Sequence, residues 1–108
     1  MTVLEMTRGD TTTFDVTLTD GAGDPLDLTD LDLTFTASHA DLVITKVIGD
    51  GITVTDLSGG LASVELVPDD TADVEERMVL AWDLQVTDGV DVFTPLSGRL
   101  EISMDVTP

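Results

Sequence analysis

"LAWDLQVTDGVDVFTPL", Leu80 to Leu96, decides the class of fold. Leu80, Trp82, Leu84 and Val86 alternate with Ala81, Asp83, Gln85 and Thr87. Successive side chains of an extended strand point to opposite faces, so this period of two describes a strand with one buried and one solvated face. Asp88-Gly89 follows, a pair suited to the positive φ values and side-chain-capped turns that reverse a chain. Val92–Leu96 then reads as the returning strand. Trp82, flanked by Leu80 and Leu84 on the inward face, is the expected centre of the core.

The same grammar extends in both directions. Phe14, Val16 and Leu18 alternate with Asp15, Thr17 and Thr19, and Leu31, Leu33 and Phe35 with Asp32 and Thr34. Leu100, Ile102 and Met104 repeat the pattern against Arg99, Glu101, Ser103 and Asp105. Turn residues separate the runs at Asp20-Gly21-Ala22-Gly23-Asp24-Pro25, Gly49-Asp50-Gly51 and Ser58-Gly59-Gly60. Ile52–Thr55 and Leu61–Val67 therefore form a second predicted hairpin. Only Pro68–Glu76 reads as helical, because proline and acids suit the first turn of a helix, and it has room for one or two turns. The predicted fold is all-β: an immunoglobulin-like antiparallel β-sandwich of seven or eight short strands with one short helical crossover, in a single domain over residues 1–108. A small closed barrel is the alternative. No internal repeat, linker or low-complexity segment interrupts it.

Composition restricts what such a domain can do. The 108 residues suffice for one core, and 42% of them are hydrophobic, which sets the chain apart from disordered acidic sequences. With no cysteine, disulfides, thiolate metal sites and thiol nucleophiles are excluded. The first residues, Met1 to Met6, have neither the basic nor the apolar region of an export signal, and no apolar run reaches membrane-spanning length. The net charge of −18, from 22 acidic and 4 basic residues, repels nucleic acid and anionic membranes, so neither is an expected partner. Aspartate outnumbers glutamate 17 to 5, and Lys46 is the only lysine. Self-repulsion on this scale opposes compaction unless salt screens it, and the Debye length shrinks to about 3 Å at 1 M. The composition points to a protein that works in concentrated salt.

Four features invite a site assignment. Arg8-Gly9-Asp10 is a tripeptide that adhesion receptors grip, but it lies four residues before the inward Phe14 and reads as the turn that opens a strand. Asp20, Asp24, Asp27, Asp30 and Asp32 could supply oxygen ligands to calcium, yet they lack the spacing of an EF-hand loop and are accounted for by turn chemistry and an acidic surface. His39 is the only histidine and would need carboxylate partners to hold zinc; a loop position is expected for it. Serines are present without a Gly-x-Ser-x-Gly elbow or a second base, and carboxylate pairs would need a cleft that a small sandwich rarely supplies. No catalytic, cofactor-binding or metal-binding residue is assigned, and the chain is not expected to be an enzyme.

The order "RGDTTTFDVTLTDGAGDPLDLTDLDLTFTA", "GGLASVELVPDDTADV", "AWDLQVTDG" and "LSGRLEISMDVTP", covering Thr7 to Pro108, resembles a set of small β-sandwich virion proteins of tailed viruses, of the baseplate upper protein-like, head accessory or tail accessory kind. The resemblance lies in strands and turns rather than in a catalytic signature. It implies a structural subunit located in the virion, with other capsid or tail proteins as partners, and a symmetric homo-oligomer in the particle. Arg8-Gly9-Asp10 matches the family's opening before its first long strand. Glu75-Glu76-Arg77-Met78 departs from it, standing where relatives have a glycine-containing turn. The acidity departs too, and points to a halophilic host. Within this reading a capsid decoration or turret subunit is expected first and a tail or baseplate subunit second. A host-surface binding module, using Ser38–Asp41 or Gly49–Gly51, is the rival from another class.

Overall fold

A computed structural model of the chain describes residues 2–20, 22–72 and 74–104, apart from the side chains of Thr2, Phe93 and Pro95. Gly21 of the first turn, Asp73 of the helical segment and Asp105 of the last polar series lie outside these residues. Eight strands are described: β1 (Thr2–Thr7), β2 (Thr12–Thr17), β3 (Asp32–His39), β4 (Leu42–Ile48), β5 (Gly51–Asp56), β6 (Leu61–Leu66), β7 (Met78–Thr87) and β8 (Val92–Ser103). They form one sheet in the order β1-β8-β7-β3-β4-β5-β6-β2, curled into a nearly closed barrel. The helical segment is shorter than its sequence suggests, a single 3-10 turn over Pro68–Thr71 between β6 and β7.

Both predicted hairpins form, β5 with β6 and β7 with β8. Two pairings depart from an all-antiparallel arrangement. β1 runs parallel to β8, from Thr2 opposite Gly98 to Thr7 opposite Ser103. β4 and β5 meet in parallel through only Val47–Gly51 and Ile48–Ile52. That two-residue link joins a five-stranded half, β1-β8-β7-β3-β4, to a three-stranded half, β5-β6-β2. β1 and β4 were not among the strands marked by strict alternation. In β1, "TVLEMT", the adjacent Val3 and Leu4 blur the alternation, and "LVITKVI" in β4 interrupts its apolar series with Lys46.

Irregularities fall where the residues demand them. The β7–β8 register shifts between Leu84–Leu96 and Val86–Phe93, so β8 carries one extra residue around Pro95. Proline cannot donate to a ladder, and a bulge is where a strand tolerates it.

The inward faces meet in one core. Leu33, Phe35, Ala37, Leu80, Trp82, Leu84, Val86, Leu100 and Ile102 come from the larger half, and Ile52, Ala62, Val64 and Leu66 from the smaller. Trp82 is 4% exposed and stacks on Phe35, with ring centroids 5.6 Å apart and planes inclined by 28°. Its indole N–H donates to Arg99 O at 3.1 Å, so its one polar atom is satisfied. The segment between β2 and β3 closes one end of this core. Leu18 and Leu28 are buried there, and their N–H groups donate to Gly60 O and Leu57 O, each at 2.8 Å.

Candidate interaction surface

Arg8-Gly9-Asp10 is built into the fold. Thr7 to Asp10 is a tight turn closed by Asp10 N–H to Thr7 O at 3.1 Å, with Gly9 at φ +84°, the left-handed conformation such a turn requires. Arg8 N–H extends the β1–β8 ladder by donating to Ser103 O at 2.8 Å. Its half-buried guanidinium donates to Val74 O at 3.1 Å, and Gly9 N–H donates to the hydroxyl of buried Thr71 at 3.0 Å. The tripeptide thus fastens the β1–β2 turn to the last residue of the 3-10 turn, Thr71, and to Val74 just beyond it.

The chain's only lysine is part of the same fastening. Lys46 is 9% exposed, and its ammonium lies 2.9 Å from Asp70 Oδ2 and 3.0 Å from Oδ1. Asp70 also accepts the Val67 N–H at 2.7 Å, while its own N–H donates to Val67 O at 2.9 Å. One carboxylate therefore caps the 3-10 turn and neutralises a charge on the inward side of β4. The lysine stem passes directly over Gly51, where a Cβ would collide with it, and Gly51 sits at φ +101°. Composition drew attention to Lys46 by its solitude; its pairing with Asp70 had no signal in the sequence.

Four further acids, Asp20, Asp27, Asp56 and Asp88, accept local N–H groups in turns. Asp20 Oδ1 accepts the N–H groups of Ala22 and Asp24, and Asp56 Oδ1 that of Gly59. Thr29 lowers the pKa of Asp27, through a side-chain hydrogen bond first and its backbone N–H second. The Asp91 and Val90 N–H groups lower that of Asp88. Among the described residues no group of three or more His, Cys, Asp or Glu side chains is placed to hold a metal ion. His39 is exposed at the β3–β4 turn beside Ala40, which takes φ +52°. With Asp41, Leu42 and Met78 they line a shallow open depression of about 340 Å³. A second depression, about 280 Å³, lies among Glu5, Met6, Thr7, Arg77, Glu101 and Ser103.

What remains is the sheet itself. The outward side chains of the larger half are dominated by Thr, Ser, Val and Ala, and its acids there are Glu5, Asp32, Asp83 and Glu101. One register row, Val3–Arg99–Ala81–Ser38–Val43, crosses all five strands without an acid. Val3, Val43, Val47 and Val79 are exposed on this face, Val43 to 59%. The face as a whole thus keeps four acids against the one cation Arg99, and its acid-free part is the strip along this row.

β4 also has an open edge. It pairs with β3 from His39–Leu42 to Thr34–Val47, but with β5 only at its last two residues. Val47 donates to Asp50 O at 3.1 Å and accepts from Asp50 N–H at 2.9 Å, so both its backbone groups point away from β3. In an antiparallel strand that direction recurs every second residue. Val43 and Thr45 therefore turn their N–H and C=O groups to the same side, and among the described residues no loop or side-chain bond reaches them.

Compared with known proteins, the chain matches no protein-family model, and no curated protein matches it in sequence.

Proposed function

We propose that this chain is a non-enzymatic structural protein of a tailed-virus particle, a decoration or turret subunit on the exterior of the head, working in concentrated salt. The observation that carries the reading is the acid-free strip Val3–Arg99–Ala81–Ser38–Val43, which crosses the five-stranded face of a strongly acidic body. Such a strip suits lateral packing against other proteins, where like charges would cost most, while the carboxylates to either side of it and in the turns stay in solvent. The resemblance in strand and turn order to virion accessory proteins supplies the viral context. In this reading the two halves of the sheet, joined through the short β4–β5 link, correspond to the two layers of an immunoglobulin-like sandwich. The body measures 44 × 23 × 22 Å and would be repeated by the symmetry of the shell, so that weak contacts add up through avidity.

The test is mass spectrometry of washed, gradient-purified particles, with stoichiometry relative to the major capsid protein, together with antibody labelling in the electron microscope. Labelled heads at high copy number are expected. Labelling confined to tail tips would move the protein to the tail or baseplate. Its absence from particles, while it is abundant in infected cells, would overturn the proposal.

A further inference from the structure

We propose that the open edge of β4 receives an extended, lysine- or arginine-flanked segment of another protein, which adds to the sheet as a strand alongside Leu42–Lys46. The proposal rests on the geometry of β4 and stands independently of the viral reading.

Strand addition needs a row of unpaired backbone groups and room for side chains on both faces. Val43 and Thr45 supply two N–H donors and two C=O acceptors aimed the same way, with no bond to them from loops or side chains among the described residues. Natural edges are commonly blunted by proline, a bulge or lysine. β4 contains no proline and no register shift against β3, and its one lysine is turned inward and neutralised by Asp70 at 2.9 Å. The free sheet ends are less receptive, because each carries an outward acid, Glu5 in β1 and Asp15 in β2. "LVITKVI" has none.

Charge selects the occupant. Exposed Asp41 and Asp50 stand at the two ends of β4, and exposed Asp69 lies on the 3-10 turn next to Lys46's partner. An incoming strand with a Thr- and Val-rich centre and basic residues at its ends would pair its backbone with Val43 and Thr45 and place its cations near those carboxylates. A second copy of this chain fits worse. It would bring another net −18 body against the first through a contact of only four backbone hydrogen bonds, with no cation at either end of its own β4.

The experiment titrates the full chain with a synthetic peptide, Thr-Val-Thr-Val-Thr flanked by two lysines at each end, and reads fluorescence anisotropy and amide hydrogen exchange. A control peptide of identical charge carries N-methyl groups on alternate residues of its centre, which removes its backbone donors on one side. The unmodified peptide is expected to bind at least tenfold more tightly than the control, at about 0.15 M and at about 1 M salt. Exchange of the Val43 and Thr45 amides should slow by at least tenfold on binding. Thr45→Pro, which removes an outward N–H without breaking the β3 ladder, should lower affinity to that of the control while Trp82 fluorescence remains native. Thr45→Ala, which keeps the N–H, should bind like the parent chain and serves if the proline variant does not fold. Equal affinity for both peptides, or unchanged exchange at Val43 and Thr45, would overturn the proposal in favour of diffuse charge attraction. Protection of the same amides in the chain alone, with a dimeric sedimentation coefficient, would also overturn it and assign the edge to a second copy.

Discussion

Replacing Asp70 by alanine removes two interactions at once, and with the first of them the tie between the 3-10 turn and β4. The Lys46 ammonium loses its counter-ion at 2.9 Å, and the Val67 N–H loses its acceptor at 2.7 Å. At an effective dielectric constant of about 20 the direct attraction between unit charges about 3 Å apart is roughly 5 kcal/mol, most of which desolvation of the two groups cancels. Losing one partner of a fully buried pair costs about 3–5 kcal/mol, because the survivor is left uncompensated. The two side chains here retain 11% and 16% exposure, so water and the flexible lysine stem recover part of that cost. The expected loss for Asp70→Ala is therefore about 2–4 kcal/mol, including the lost capping bond.

Lys46→Met keeps the apolar stem over Gly51 and leaves Asp70 still bound to the Val67 N–H, so its cost should be smaller, about 1–2 kcal/mol. The assay is urea unfolding followed by Trp82 fluorescence at about 1 M potassium chloride, where long-range repulsion is screened and the short-range pair is what changes. The double variant completes a cycle whose coupling energy should be at least about 1 kcal/mol. A loss below about 1 kcal/mol for Asp70→Ala, with coupling near zero, would refute the reasoning. The pair would then be a contact that water replaces without cost, and the 3-10 turn would be held by Thr71 and Val74 alone.

Trp82→Ala should cost about 3–5 kcal/mol by emptying the space against Phe35, comparable to much of a small domain's stability; a variant with a native urea midpoint would show that the core is centred elsewhere. Arg8→Ala should lower the melting temperature while leaving attachment to host cells unchanged, because the guanidinium is bonded to Val74 O; lost attachment with an unaltered melt would restore an adhesive role to the tripeptide. The melting temperature of the isolated chain should rise steeply from millimolar to molar potassium chloride, as the Debye length falls from about 30 Å at 0.01 M to about 3 Å at 1 M, and a flat series would refute adaptation to salt. Mild acidification should act like salt by discharging carboxylates, but only down to about pH 4. Asp27 and Asp88 have folded-state pKa values below the ordinary one, so their turns contribute stability that is present above that value and lost as pH falls through the depressed ones. A thermal-melt series in low salt should therefore show a maximum in mild acid, and a monotonic fall from neutral pH would refute it.

The strands around Phe14, Phe35, Trp82 and Leu100 were legible in the sequence because alternation is a local property. Each side chain's face follows from its neighbours two positions away, whatever strand comes to lie alongside. The turns at Asp20, Ser58-Gly59-Gly60 and Asp88 were legible for a related reason, since glycines, and aspartates that accept N–H groups two to four residues ahead, need nothing from the rest of the chain. Charge was legible as a sum: composition alone predicts an acidic body with a single lysine. Beyond the two hairpins, β5–β6 and β7–β8, which strands pair was not local. Every strand offers the same backbone donors and acceptors, so the parallel seating of β1 on β8 and the two-residue junction of β4 with β5 emerge only when all the apolar faces compete for one core. Lys46 shows the consequence most directly. Its place in β4 makes it face inward, but the carboxylate that meets it lies 24 residues away on the 3-10 turn, and only the closure of the smaller half of the sheet brings Asp70 there. The open edge of β4 has the same origin, because β5 leaves after two paired residues and Val43 and Thr45 are left facing outward.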